Sequence, residues 1–185
     1  MKKRTFIVLC IALMLVMPFY GKTQEVKKGD VNLGVAMGSA ANFYDYSSDM
    51  RPGFYGYIEQ GFWEAGPGTI ALGAESGFSF LHHEGGDYKY DWTNFFLLAR
   101  GSYHYYIKPA HLDVYAGFTS GPRFTVFSDK YDHSNHRDSP DYNTVNFHFG
   151  GFTGATYQFN SKVSGFVECG YDITNISAGL RFKLR

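Results

Sequence analysis

Cysteine is nearly absent from the 185 residues: only Cys10 and Cys169 occur. Cys10 lies in an N-terminal apolar run, so removal of that run leaves a single thiol and excludes an intrachain disulfide framework. Charge of one sign is also missing. Seventeen basic and seventeen acidic residues cancel, which leaves no basic excess to attract nucleic acid and no acidic tail. Long apolar runs are scarce as well. A membrane helix needs about 20 consecutive apolar residues. The one apolar stretch, Phe6 to Met17, is shorter than that. It follows the cations Lys2, Lys3 and Arg4, is broken by Pro18, and is followed by the small residues Gly21 and Thr23. These are the marks of a secretory signal. Residues 1–23 are therefore expected to be a signal peptide and 24–185 a single mature domain. If the mature chain crosses a bilayer it must do so as a closed barrel, because only helices and closed barrels pair every backbone group in lipid.

What the chain has in quantity is aromatic residues and glycine: 15 Tyr, 18 Phe and 22 Gly. That composition suits strands and turns rather than helices. Eight runs alternate with period two: 30–40, 53–63, 69–80, 92–106, 112–127, 144–159, 162–171 and 175–184. In the first, Val31, Leu33, Val35 and Met37 share one face. In the third, Ile70, Leu72, Ala74 and Phe78 oppose Glu75 and Ser79. In the fourth, Leu97, Ala99, Tyr103 and Tyr105 oppose Asn94, Arg100, Ser102 and His104, although Phe96 and Leu98 fall on the polar side. Pro122 interrupts the fifth and suggests a bulge or an end of pairing. The last run sets Ile176, Ala178, Leu180 and Phe182 against Ser177, Gly179, Arg181 and Lys183.

Connections alternate long and short. Residues 41–52, 82–91 and 128–143 are long and polar; 64–68, 108–111 and 160–161 are short, and 172–174 breaks the trend by being short. Membrane barrels turn tightly on the periplasmic side and run longer outside, so the long connections are expected at the cell surface and both chain ends in the periplasm.

A lipocalin-like soluble barrel also alternates, with its apolar face inward. Three features favour the opposite arrangement. The apolar face is broad and almost uncharged. Charged residues make up 18% of the chain, against about a quarter in soluble domains. Aromatics also cluster near run ends, among them Phe62, Phe80, Trp92, Tyr103, Tyr105, Phe127, Phe147, Tyr157, Phe159 and Phe182, where two interfacial girdles would lie. The expected fold is all-β: an eight-stranded antiparallel up-and-down transmembrane β-barrel. Its interior is then narrow and filled by side chains. The charges directed there, Glu59, Glu75, Arg100, Glu168, Arg181 and Lys183, must neutralise one another, because an unpaired buried charge is very costly.

With its leader, its eight-run layout from Asp30 to Leu184 and its closing run Ile176-Ser177-Ala178-Gly179-Leu180-Arg181-Phe182-Lys183-Leu184, the chain resembles the small outer-membrane barrels of the OmpX and OmpA-transmembrane type, in the Bacteroidetes-like "outer membrane protein beta-barrel domain" group. The closing run looks like the C-terminal signal read by the barrel-assembly machinery, but ends in Arg185 rather than an aromatic. The resemblance implies an outer-membrane location, contact with outer-membrane lipid and lipopolysaccharide, and passage through that machinery. No peptidoglycan-binding domain of the OmpA kind is expected after the last run.

For function, the expectation is a non-enzymatic barrel with a packed polar interior, whose surface loops serve envelope structure, adhesion or the binding of a partner such as a host surface, another envelope protein or lipopolysaccharide. Tyr44, Tyr46, His82, His83, Tyr88, Asp132, His133 and His136 are the loop candidates, since tyrosine offers an apolar body with a polar tip. No cofactor, no bound metal and no nucleic-acid partner are expected. The His and Asp clusters of the two long loops meet no fixed ligand spacing. The alternatives are a lipid A-modifying enzyme and a narrow channel. His133-Ser134-Asn135 resembles the His-x-Ser-Asn run of lipid A deacylases, but its His and Ser are adjacent, whereas strand residues that share a face are two apart. His104 and His148, on inward faces, read as hydrogen-bonded interior histidines.

Overall fold

The computed structural model describes residues 26–41, 52–85, 88–108, 112–129 and 144–185, with side chains left out for 81–92 and 127–129. The expected signal segment lies outside them. Eight strands follow in order: β1 (Val31–Ala40), β2 (Pro52–Ala65), β3 (Gly68–Gly85), β4 (Tyr88–Ile107), β5 (Leu112–Asp129), β6 (Thr144–Gln158), β7 (Val163–Gly170) and β8 (Thr174–Lys183). Each pairs antiparallel with its neighbours in sequence, and β8 returns to pair with β1. Closure gives every strand a partner on both sides, which is how strands satisfy their backbone without water. Following the register once round the wall from Gly154 returns to β6 at Thr144, ten residues along. That stagger tilts the strands and leaves an interior of about side-chain width.

The alternation decides which side is which. Val35, Leu97, Phe149 and Leu180 are exposed on the outer face, Phe149 by 67%. Glu59, Glu75, Arg100, Glu168 and Arg181 are buried inside, none more than 4% exposed. So large an apolar outer surface is stable only against hydrocarbon. Cross-strand rings band its upper part: Phe78 lies 5.2 Å from Phe95, and Phe95 5.9 Å from Phe124. Phe62, Trp63, Tyr103, Tyr105 and Phe159 are exposed near the opposite end.

Four expectations need correction. Residues 82–85 and 88–91 are paired strand, not loop, with His82 opposite Asp91 and Gly85 opposite Tyr88. Pairing there takes place above the apolar band, where the alternation that marks a half-buried strand is lost. His82, His83 and Tyr88 are therefore strand residues. Second, Pro122 does not end its strand. It pairs with Phe147 on β6, and only the ladder to β4 skips Gly121 and Pro122, as expected of a residue with no N–H. Third, Lys183 stands apart from the interior charges and pairs with Asp30 at the lower rim, 2.6 Å away. Fourth, the interior is not purely polar: Phe96, Leu98, Phe152 and Phe166 are almost fully buried within it.

Glycine makes room for the interior rings. Tyr57 lies across from Gly34, Tyr115 from Gly154, Phe152 from Gly117 and Phe166 from Gly179. In each case a Cβ on the glycine would collide with the ring opposite. The segment before β1 folds under the lower mouth, where Gly29 N donates to Gly61 O (2.7 Å) and Gly61 N donates to Asp30 O (2.9 Å). Val26 is buried there.

Candidate functional site

The charged residues meet inside the barrel because period two aims them there from six strands, β2, β3, β4, β5, β7 and β8, and register sets their heights. Arg100 on β4 is central. Its Nη2 donates to Glu168 Oε2 (2.6 Å) on β7, and its Nη1 donates to Glu75 on β3. Tyr57 and Phe152 cover its two faces, their ring centres 4.3 and 3.7 Å from Cζ. A guanidinium stacked in this way is held in one plane. Glu168 takes two further hydrogen bonds, from Tyr55 OH and Tyr115 OH, each at 3.0 Å.

A second group lies nearer the chain ends. Arg181 on β8 donates from Nη1 to Asp113 Oδ2 (2.8 Å) and from Nε to Tyr57 OH (3.1 Å). Its Nη2 lies 3.5 Å from Glu59 Oε1. His104 contacts Asp113 Oδ2 through Nδ1 (2.9 Å) and Ser102 Oγ through Nε2 (3.0 Å). Glu59 links the groups, its Oε2 lying 3.8 Å from Arg100 Nε. Opposite charges this close and this dry interact strongly, and removing one partner costs far more than the pair contributes.

Of the six charges expected inside, five join this network and Lys183 does not. Asp113 is a further member, and Asp172 stands beside the network, with a carboxylate oxygen within 4.8 Å of those of Glu75 and Glu168. Asp113 shares the inward face of its run and was legible by period. Asp172 lies in the β7–β8 turn, where no period applies. His148 is buried, with its ring edge-on to Phe96 at 5.6 Å. Of the loop candidates, Tyr44, Tyr46, Asp132, His133 and His136 lie outside the described residues.

Ser102, His104 and Asp113 form a chain of the kind used in nucleophilic catalysis, with serine and histidine two apart on one strand. Ser102 Oγ lies 3.1 Å from Glu59 Oε2 as well as 3.0 Å from His104 Nε2, so the carboxylate competes with the imidazole for the hydroxyl proton. Asp113 is shared with Arg181. All three residues are at most 5% exposed. The nearby void, bordered by Asn32, Asp113, Thr156 and Arg181, has a volume of about 10 Å3, room for one water and not for an acyl chain. Among the described residues nothing hydrogen-bonds Asn32 Nδ2 or Thr156 Oγ1, and both suit that water.

A closed wall, an outer face fit for lipid and an ion-paired interior define an eight-stranded transmembrane β-barrel. Among solved structures the chain is similar to a designed transmembrane β-barrel (20% identity, TM-score 0.49, covering 87% of this chain and 100% of that one). It is also similar to Ail, the attachment invasion locus protein of Yersinia pestis, alone (11%, TM-score 0.44, 84% and 95%) and with the heparin analogue sucrose octasulfate (12%, TM-score 0.45, 84% and 96%). No protein-family model and no curated protein matches.

Proposed function

We propose that this is a non-enzymatic outer-membrane barrel that holds a rigid sheet above the membrane to bind a protein partner at the cell surface. The observation that carries this reading is the uneven height of the wall. β3, β4 and β5 run for 18, 20 and 18 residues, whereas β7 and β8 have 8 and 10. A tilted strand crosses hydrocarbon in about 9–11 residues, so the long strands rise well beyond it while the β7–β8 hairpin stops near its surface. The register between β6 and β7 begins at Phe152 and Gly170. Among the described residues nothing pairs with 144–149 on that side. Val145, Asn146 and Phe147 are exposed on both faces of the strand. An unpaired edge of this kind accepts an added strand from an extended peptide.

The direction of insertion follows the lengths, with the tall strands outside and the chain ends in the periplasm. Outer-membrane lipid, lipopolysaccharide included, then meets the apolar face, and the barrel-assembly machinery delivers the chain, with β8 the strand that seals it. The alternatives fare worse on the geometry. The described interior is filled, which disfavours a channel, and the Ser102 chain has no space for substrate.

The test is to shorten the β5–β6 hairpin to the height of β7–β8. The trimmed protein should keep its heat-modifiable gel shift and its outer-membrane fraction but lose partner binding by intact cells. Unchanged binding would refute the proposal. Lipid A mass spectra that differ between cells making the native protein and cells making Ser102→Ala would favour the enzymatic alternative instead.

A further inference from the structure

Beyond the surface role, the top of the interior holds an arrangement that ion pairing among the described residues does not complete. Glu75 on β3, Glu168 on β7 and Asp172 in the β7–β8 turn each offer a carboxylate oxygen, and the three oxygens lie within 4.8 Å of one another. That is the separation across a Ca2+ ion, whose oxygen ligands sit at about 2.3–2.6 Å. Acidic side chains often gather without holding an ion, so proximity alone decides nothing.

The hydrogen bonds supply an independent reason. Glu75 Oε1 and Asp172 Oδ2 are inaccessible to solvent, each residue being only 1% exposed, and among the described residues neither oxygen has a hydrogen-bond partner. Asp172 Oδ1 accepts the Thr174 N–H at 3.1 Å, which fixes the carboxylate and leaves Oδ2 unsatisfied. Glu75 is fixed through its other oxygen by Arg100. A buried carboxylate oxygen with nothing to accept from is very costly. Thr119 Oγ1 is likewise buried without a partner. Its residue stands beside Arg100 on one side and Gly150 on the other, and a Cβ on Gly150 would press on Asp172 Cα at 2.9 Å.

Charge supplies the third reason. Among the described residues one guanidinium, Arg100, pairs with Glu75 and Glu168, and no cation pairs with Asp172. Three carboxylates and one arginine leave two negative charges over. We propose that the upper interior is a binding site for one divalent cation of the Ca2+ class, ligated by Glu75 and Asp172 and closed by Glu168. An all-oxygen donor set selects a hard ion over zinc or copper. The occupied site would tie the short β7–β8 turn to β3 across the barrel.

The test uses full-length protein folded in detergent, stripped with EDTA and titrated with Tb3+, a luminescent stand-in for Ca2+. Tyr55 and Tyr115 both bond to Glu168 and would sensitise the signal. One saturable Tb3+ per chain, displaced by Ca2+, is expected. Ca2+ at a hundredfold excess over its Kd should raise the unfolding temperature by roughly 5–10 °C. Asp172→Asn should abolish both effects while keeping the gel shift of the folded barrel; Glu75→Gln is the second variant should the first not fold. Replacing the acids of 129–141 by amides should leave both effects in place. No saturable signal, or a signal that survives Asp172→Asn, would overturn the proposal. So would a barrel whose stability responds to pH but not to Ca2+, with protons as the occupants.

Discussion

At the scale of single residues, the interior behaves as one electrostatic unit around Arg100. Arg100→Ala removes the cation that serves Glu75 and Glu168 and empties the space between Tyr57 and Phe152. It should cost about 3–5 kcal/mol, the range for breaking a buried ion pair from one side, measured by urea unfolding in detergent. Gly34→Val should also destabilise, by about 1–3 kcal/mol, because the new Cβ would occupy the place of the Tyr57 ring that holds Arg181. Much of this site was legible beforehand. Period two places Glu59, Glu75, Arg100, Glu168 and Arg181 on inward faces, and opposite signs make pairing necessary. Who pairs with whom was not legible, since that needs the stagger between strands. Lys183 has the right phase yet lies too near the rim to reach the others. Asp172 has no phase at all, being in a turn.

At the scale of strands, alternation located all eight to within a few residues except where they leave the membrane. The tops of β3 and β4 read as loop because the sequence there, His82 to Asp91, carries no apolar stripe. Phe152 and Phe166 fall on the inward phase of their runs, but only register shows each ring lying over a glycine on the next strand. The outer face permits a sharper check. Val35 sits in the middle of β1 and is 48% exposed, whereas Leu184 lies just past β8 at the rim and is 58% exposed. Val35→Arg should destabilise the barrel in lipid by about 2–4 kcal/mol and Leu184→Arg by at most about 1 kcal/mol, following the depth dependence of charge on a lipid face. Equal penalties in vesicle unfolding titrations would place the hydrocarbon elsewhere.

At the scale of the whole molecule, the interior should not conduct. Purified protein in planar bilayers should give a flat trace. Steady single-channel openings would require a continuous water path, and the void beside Asp113 and Arg181 holds about one molecule. The closing seam has a consequence for how such a wall can arise. β1 pairs with β8 across nearly the full length of the sequence, Asn32 with Lys183. Neither strand can satisfy both of its sides until the other has been made. A partly inserted intermediate would present two raw margins of amide and carbonyl to acyl chains, at several kcal/mol per group. Circular permutants that keep the wall but move the termini to the β2–β3 turn would only shift the seam to β2 and β3, and should assemble no faster than the parent in thin-bilayer refolding experiments.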